Sequence, residues 1–150
     1  MERIAHAISL LERVMISGNE LVTKQLNEEN FKGLSSEQYE VLNYLKIQGD
    51  KYPSEIAKFQ GVQKSAVSNR LSKLLTQGYI EYVSSPTGDK RYKHVHLTDA
   101  GIALLTQINE KYCALIQGWF EDFEEDEQLE NFISTLTMIQ QRIDEKGAKA

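Results

Sequence analysis

Several features are scarce or absent in this 150-residue sequence, and each absence excludes a class of protein. The chain has a single cysteine, so no disulfide can form within it, which fits a reducing cytoplasm. No apolar run approaches the ~20 residues that a membrane-spanning helix needs. The N-terminus also lacks the basic-then-apolar pattern of a signal peptide. We therefore expect a cytoplasmic protein that does not enter the membrane.

The short motifs that mark common enzymes are absent as well. There is no phosphate-binding loop, nucleophile elbow, CxxC pair or His-Glu metal motif. The sequence therefore predicts a protein that is not an enzyme and needs no cofactor or bound metal. Its 41% hydrophobic and 26% charged residues are typical of a globular protein, and its length favours one domain over residues 1–150.

The net charge of −5 argues by itself against nucleic-acid binding, but the charge is unevenly distributed. Residues 1–57 carry a net charge of −3 and residues 97–150 a net charge of −7. Residues 58–96 hold seven basic and two acidic side chains, a net charge of +5. A positive segment between two acidic ends is a localised electrostatic footprint of the kind that nucleic-acid-binding proteins carry.

Helical periodicity covers most of the chain. A first helix has an apolar stripe that runs from Ile4 to Val22. A second helix begins near Ser35, where the spacing to Gln38 matches a capping box, and it ends near Gly49.

Two short helices joined by a tight, glycine-containing turn follow, which is the helix-turn-helix pattern. The first opens at residues 53–55 with Ser54 as a favourable cap, faces Ile56, Ala57 and Phe59 inward, and stops at Gly61. The second begins around residues 63–65, runs to about residue 77, and buries Val67, Leu71 and Leu74.

The periodicity then changes to that of a β-hairpin. Residues 79–83 are strand formers, residues 84–89 are rich in turn formers, and residues 91–97 alternate. Val95 and Leu97 share one face of the second strand, and His94 and His96 share the other. A hairpin directly after a helix-turn-helix is a wing.

Thr98 and Asp99 cap a further helix, whose apolar stripe runs on to Phe123, and a last helix has apolar residues from 129 to 143.

A winged helix-turn-helix needs only residues 35–100 for its own core. We therefore predict that the helices within residues 1–34 and 101–150 form a homodimer. The predicted fold class is mainly α (α+β): a winged helix-turn-helix flanked by N- and C-terminal dimerisation helices.

Sequence motifs follow one another in a definite order along residues 35–101. They read SEQYEVL (36–42), SEIA (54–57), GVQKSAVSNRL (61–71), LLTQGYI (74–80), GDKR (88–91) and LTDAG (97–101). In this order they resemble the MarR family of bacterial transcription regulators. The resemblance implies a homodimer that binds pseudo-palindromic double-stranded DNA, most often as a repressor released by a small ligand or an oxidant.

The outer face of the fourth helix is the predicted DNA-reading surface. Small hydroxyl side chains allow close approach to base edges, asparagine can pair with adenine, and lysine can reach guanine or phosphate. We predict that bases are read by Lys64, Ser65, Ser68 and Asn69. Lys73 lies on the same outer side, and Arg70, nearer the buried edge, is predicted to hold a phosphate.

The hairpin tip is the second predicted DNA contact. Arg91 is long enough to enter a minor groove, and Lys90 and Lys93 would contact phosphates. Asp89 would repel phosphate, so we predict that it orients Arg91 through a charge-assisted hydrogen bond. The resemblance implies the same, because the wing of the family carries Asp-x-Arg at this place.

The regulatory part of the sequence leaves alternatives open. Tyr39, Tyr44, Tyr112 and Trp119 could line a pocket for a small, often aromatic effector, which the resemblance places between the dimerisation helices and the DNA-reading domain; core packing is the other interpretation. Cys113 could sense oxidants, although we expect a buried, inert thiol.

Two further hypotheses belong to other classes of protein. His94 and His96 could be two metal ligands, but no third ligand is evident, so solvent-facing or phosphate-contacting histidines are favoured. A winged-helix module that binds protein is the other alternative. DNA binding is distinguished from it by a steep dependence on salt.

Overall fold

The structure, a computed structural model, describes residues 1–25, 33–84, 93–121 and 126–147. The elements within these ranges are, in order, α1 (Glu2–Gln25), α2 (Ser36–Gln48), α3 (Pro53–Gln60), α4 (Lys64–Thr76), β1 (Ile80–Ser84), β2 (Lys93–Leu97), α5 (Asp99–Ile116), a 3₁₀ helix (Gln117–Phe120) and α6 (Asp126–Gly147). The chain divides into two compact units, residues 1–112 and 113–150. The predicted mainly α winged helix-turn-helix is confirmed.

One hydrophobic core lies within residues 34–108 of the first unit. Apolar side chains from α2, α3, α4, both strands and the first half of α5 contribute to it. The α4 stripe of Val67, Leu71 and Leu74 is buried, as predicted. Because one flank of α4 lies in this core, its other flank is left facing water.

A capping box fixes the start of α2, as predicted. The Ser35 hydroxyl accepts a hydrogen bond from the Gln38 amide at 3.2 Å, and the Gln38 side chain accepts one from the Ser35 amide at 2.9 Å. Two otherwise unpaired N–H groups are thus satisfied reciprocally. The helix ends at Gly49, whose amide donates to the Leu45 carbonyl at 2.9 Å.

Two details of the α3 prediction are wrong. Tyr52, not Ser54, is the N-cap residue, and its amide donates to the Glu55 carboxylate at 2.8 Å. Ser54 lies inside the first turn because Pro53 already occupies a helical position. Phe59 is 47% exposed, since α3 buries only Ile56 and Ala57.

The wing is a two-stranded antiparallel ladder from the Ile80–Leu97 pair to the Ser84–Lys93 pair. Val95 and Leu97 are buried, as predicted. A backbone bridge adds Lys51, from the loop before α3: the Val95 amide donates to the Lys51 carbonyl at 2.8 Å, and the Lys51 amide donates back at 3.3 Å. The base of the wing is therefore bonded to the loop between α2 and α3.

Helix α5 begins in close contact with the end of α4. The Thr98 hydroxyl donates to the Gly78 carbonyl at 2.7 Å and accepts from the Gly101 amide at 3.2 Å, which makes Thr98 the predicted cap. The Thr98 amide donates to the Tyr79 carbonyl at 3.1 Å. Gly101 lies directly against that carbonyl, where a Cβ atom would overlap the oxygen.

The apolar stripe predicted for α5 is too long. Its buried positions end at Ile108, the α-helix ends at Ile116, and a 3₁₀ turn follows. Gly118 in that turn has low helix propensity, which favours the change of helix type. Phe123, predicted on the same stripe, lies outside the described residues.

Helices α1 and α6 leave their apolar stripes uncovered. The large hydrophobic side chains of α1 are 41–70% exposed, and those of α6 are 38–57% exposed. They are Ile4, Ile8, Leu10, Leu11, Val14, Met15, Ile16 and Leu21 in α1, and Leu129, Phe132, Ile133, Leu136, Met138, Ile139 and Ile143 in α6. Over the described ranges, no helix is long and apolar enough to cross a membrane.

Candidate DNA-binding surface

The exposed flank of α4 gathers five of the residues predicted to bind DNA. The flank opposite Val67, Leu71 and Leu74 carries Lys64, Ser65, Ser68, Asn69 and Lys73, all exposed. Their spacing follows the helical repeat, so they form one continuous stripe. The stripe has two cations, two hydroxyls and one amide and carries no acidic group, which suits a polyanion with hydrogen-bonding edges.

Two residues on the same stripe were not predicted. Ser72 and Thr76 are exposed and lie four and eight positions after Ser68. The signal was available, because the same periodicity that selected Ser68 continues to them. The Thr76 hydroxyl donates to the Ser72 carbonyl at 2.9 Å, so its hydrogen is used within α4.

The turn before α4 sets where this stripe begins. Gly61 has φ +63° and ψ 30°, the left-handed conformation that glycine adopts without steric cost. The Gly61 amide donates to the Lys58 carbonyl at 3.2 Å, and the Val62 amide donates to the Ala57 carbonyl at 3.1 Å. These bonds close the tight turn that the sequence predicted.

Arg70 lies on the half-buried edge of α4 and contacts protein groups. Its Nη1 donates to the Gln60 side-chain oxygen at 2.7 Å. The Gln60 nitrogen in turn donates to the Glu40 carboxylate at 2.7 Å and to the Glu37 carbonyl at 3.0 Å. A polar network thereby joins α4, α3 and α2.

The charge of Arg70 also reaches the start of α2. A backbone hydrogen bond and the Ser35 hydroxyl lower the pKa of Glu37, and Arg70 contributes electrostatically in the same direction. The lowered pKa means that Glu37 keeps its negative charge to a lower pH than a free glutamate does. Glu37 lies in the first turn of α2, where the helix dipole also favours a negative charge.

The wing is only partly described. Lys93 is exposed at the start of β2, opposite Ser84. Asp89, Lys90 and Arg91 lie outside the described residues, and their predicted roles stay predictions.

Both strand histidines contact the loop that precedes α3. The His94 ring packs on Tyr52 at a centroid distance of 3.9 Å and an angle of 47°. His96 Nδ1 lies 2.8 Å from the Asp50 carboxylate. Among the described residues, no three histidine, cysteine or acidic side chains cluster in a way that could hold a metal ion.

Of the four aromatic residues predicted near an effector, Tyr39, Tyr44 and Tyr112 belong to the first unit and Trp119 to the second. Tyr39 and Tyr44 are half-buried and pack against the core, and Tyr44 stacks on Phe59 with ring centroids 4.0 Å apart. Burial raises the pKa of Tyr39, and the nearby Tyr112 adds to the shift. Trp119 belongs to the second unit and is 41% exposed.

A shallow cleft of about 380 Å³ lies beside the C-terminal half of α4. Its walls are Gly33, Gln38, Ser72, Lys73, Thr76 and Gln77, and none of the four aromatic residues contributes to it. Among the described residues that line it, Lys73 is the charged one, so Lys73 belongs both to the α4 stripe and to this cleft.

Cys113 is exposed, and the prediction of a buried thiol is wrong. The prediction extended the buried stripe of α5 along the whole helix, whereas the last buried residue is Ile108. An exposed thiol is accessible to oxidants and to alkylating reagents.

Comparison with known proteins adds independent evidence. The sequence profile of the MarR family matches residues 32–91. The HTH-type transcriptional regulator YdgG of Bacillus subtilis is 32% identical over 142 residues, which cover 94% of this chain and 93% of YdgG. The HTH-type transcriptional regulator TcaR of Staphylococcus aureus is 34% identical over 141 residues, or 91% of this chain and 90% of TcaR.

Solved structures agree with the fold described above. A MarR family protein from Bacillus stearothermophilus superposes with a TM-score of 0.68 at 19% identity, over 96% of this chain and 98% of that one. A point mutant of MepR from Staphylococcus aureus, solved bound to an oligodeoxyribonucleotide, superposes with a TM-score of 0.60 at 26% identity, over 91% of this chain and 97% of MepR.

Proposed function

The chain belongs to the MarR family of DNA-binding transcriptional regulators, and from that premise we propose that it represses transcription by binding a pseudo-palindromic operator as a homodimer. Its relatives are regulators and not enzymes. The observation that carries the proposal is the exposed stripe of α4, the second helix of a helix-turn-helix, with no acidic side chain along it. Helix-turn-helix proteins place this helix in the major groove.

The stripe divides into base-reading and phosphate-binding positions. Lys64, Ser65, Ser68 and Asn69 occupy the N-terminal half of α4, the half that meets base edges in helix-turn-helix complexes. Lys73, in the last turn, and Lys93, on the wing, contact phosphates. Arg91, Lys90 and Asp89 complete the wing contact predicted from the sequence. The DNA-bound MepR structure supports this general arrangement, because it shares the fold.

The homodimer is supported by the uncovered apolar stripes of α1 and α6. Exposed apolar surface on this scale is unfavourable in water, and a second copy of the chain would cover it. The two-fold symmetry of a dimer also matches a palindromic site. We expect sedimentation at micromolar concentration to show a species of twice 17.1 kDa. A species of 17.1 kDa alone would contradict the dimer.

The DNA proposal is tested by selecting duplexes from a random-sequence library with the purified protein. We expect an enriched, pseudo-palindromic sequence whose binding weakens steeply as salt is raised. Asn69→Ala should weaken binding by about 1–3 kcal/mol and relax the preference at the base pair that it reads. Lys46→Ala is the control, because Lys46 is exposed on α2 and lies outside the stripe.

No enrichment, or binding that is insensitive to salt, would contradict DNA recognition. Salt-insensitive capture of a protein would favour the alternative of a winged-helix module that binds protein.

Release from the operator is proposed to follow the binding of a small ligand, with aromatic compounds as the first candidates. The ligand would favour a dimer whose two recognition helices no longer match the spacing of successive major grooves. A coupling of about 1–3 kcal/mol between ligand and DNA is typical. The exposed thiol of Cys113 gives the oxidant alternative a specific observation in its favour. Cys113→Ser separates the two. If mild peroxide releases the wild-type protein from the operator, while the variant binds the operator but is not released, the thiol is the switch.

A further inference from the structure

We propose that Arg70 positions the recognition helix through Gln60 and Glu40 and does not bind a DNA phosphate. These three side chains are called the polar bridge below. The inference rests on the proposed DNA-binding function and replaces the phosphate contact that the sequence alone suggested for Arg70.

The chemistry of the polar bridge depends on the two ends of one carboxamide. The Gln60 oxygen faces the Arg70 guanidinium at 2.7 Å, and its nitrogen faces the Glu40 carboxylate at 2.7 Å. The negative end of the amide dipole thus meets the cation, and the positive end meets the anion. Both hydrogen bonds are charge-assisted and short, the stronger class of protein hydrogen bond. The second N–H of the amide is satisfied by the Glu37 carbonyl at 3.0 Å.

The place of the bridge in the fold explains what it can fix. Gln60 is the last residue of α3, directly before the Gly61 turn, and Arg70 directly follows the base-reading positions on α4. Val67 and Leu71 hold α4 in the core through apolar packing, which is non-directional. Hydrogen bonds on the neighbouring flank are directional, so they add resistance to rotation of α4 about its own axis.

A small rotation is enough to disturb base reading. Side-chain ends lie roughly 5–6 Å from a helix axis, so a turn of about 20° displaces them by about 2 Å. A hydrogen bond to a base edge does not survive that displacement. Ser65, Ser68 and Asn69 would all be misdirected together.

Arg70 is already committed to this network. Its Nη1 donates to the Gln60 oxygen at 2.7 Å, so a swing of the guanidinium away from α3 toward a phosphate would break this bond and leave the half-buried amide without its cationic partner. A positioning role needs no such rearrangement, because the hydrogen bonds of the bridge are already formed.

The test measures affinity for one duplex that the wild-type protein selects from a random library, at several salt concentrations. We expect Arg70→Met and Gln60→Met each to weaken binding about five- to thirtyfold, and the double variant to be no weaker than either single variant. The slope of log affinity against log salt should stay at the wild-type value in all three. Lys46→Met, which removes an exposed charge elsewhere, should leave affinity unchanged.

A phosphate contact gives a different pattern. The slope would fall by about 0.9 for each phosphate that is no longer neutralised, or about 1.8 for a dimer in which both copies of Arg70 are replaced, and Gln60→Met would bind normally. That result overturns the proposal while leaving the DNA-binding function intact. If the wild-type protein selects no duplex at all, the proposed function fails and the inference fails with it.

A swap of the two partners separates positioning from simple loss of stability. Gln60→Glu places two carboxylates together and should lower affinity. Adding Glu40→Gln removes the repulsion, because its amide N–H can donate to the carboxylate at position 60, which still accepts from Arg70. Affinity should then recover by at least half of the loss in log affinity. Each variant is also tested against a duplex with one altered base pair. Positioning is supported if a variant discriminates less between the two duplexes while its Tm stays at the wild-type value. It is overturned if the double swap does not recover affinity, or if discrimination between the duplexes is unchanged.

Discussion

Replacement of Gly101 by alanine tests the junction between the wing and α5. A Cβ atom built at this position would overlap the Tyr79 carbonyl oxygen and lie 2.7 Å from the Leu97 side chain. The carbonyl cannot simply move aside, because it accepts the Thr98 amide at 3.1 Å. Helix α5 must therefore shift away, which loosens the cap at its start and the packing of Leu104 behind it.

The size of the effect follows from opposing terms. Overpacking of this kind costs about 1–3 kcal/mol, and weakening of the Thr98 cap adds about 1 kcal/mol. Alanine restores about 0.5–1 kcal/mol of helix propensity relative to glycine. We expect a net loss of about 1–3 kcal/mol in the free energy of unfolding, which lowers Tm by about 2–12 °C for a chain of this size.

Thermal unfolding followed by circular dichroism measures this change. All variants must be compared at one protein concentration, since the Tm of an oligomer depends on concentration. Gly147→Ala is the matched control, because Gly147 is also helical and a Cβ there would meet nothing within 4 Å. A Tm for Gly101→Ala equal to or above that of the wild type would refute the argument from close approach.

Three further predictions concern stability. Ser35→Ala removes the acceptor of the α2 capping box and should cost about 1 kcal/mol in urea unfolding, whereas Ser36→Ala, one residue inside the helix, should change little. Leu71→Ala leaves a cavity under α4 and should cost about 2–5 kcal/mol by the same measurement; a loss below 1 kcal/mol would contradict its place in the core. Because burial raises the pKa of Tyr39 above its ordinary value of 10.0, the stability that its neutral form contributes is complete below pH 10 and is lost as the pH rises through the raised value. Tyr39→Phe should therefore flatten the fall in the free energy of unfolding above pH 10, and an unchanged fall would argue against a buried phenol.

The sequence predicted those parts of the fold that depend on interactions between residues close in sequence. The Ser35–Gln38 capping box, the buried stripe of α4 and the alternation of β2 are each confirmed, since each depends on residues close in sequence. The α4 stripe of candidate DNA contacts was predictable for the same reason. Once the buried flank of a helix is known, the exposed flank follows from the helical repeat.

Contacts between distant segments decided the features that the sequence did not predict. Gln60 and Glu40 are twenty residues apart, and neither residue type indicates that they would join Arg70. Phe59 was expected in the core but stacks on Tyr44 at its edge. Cys113 was expected to be buried but is exposed. Periodicity shows which face of a helix is apolar, but it does not show how far along the helix other residues cover that face.

The backbone bridge between Lys51 and Val95 has a consequence for how the wing can evolve. Its two hydrogen bonds join main-chain atoms, so they do not depend on which side chain stands at position 51. Proline is excluded at both positions, because each amide donates. Position 95 also needs an apolar side chain, since Val95 is fully buried in the core. Mutations along the outer part of the hairpin can therefore accumulate while its base stays attached. Related proteins can in this way vary the DNA contact proposed for the wing without rebuilding the domain that carries it.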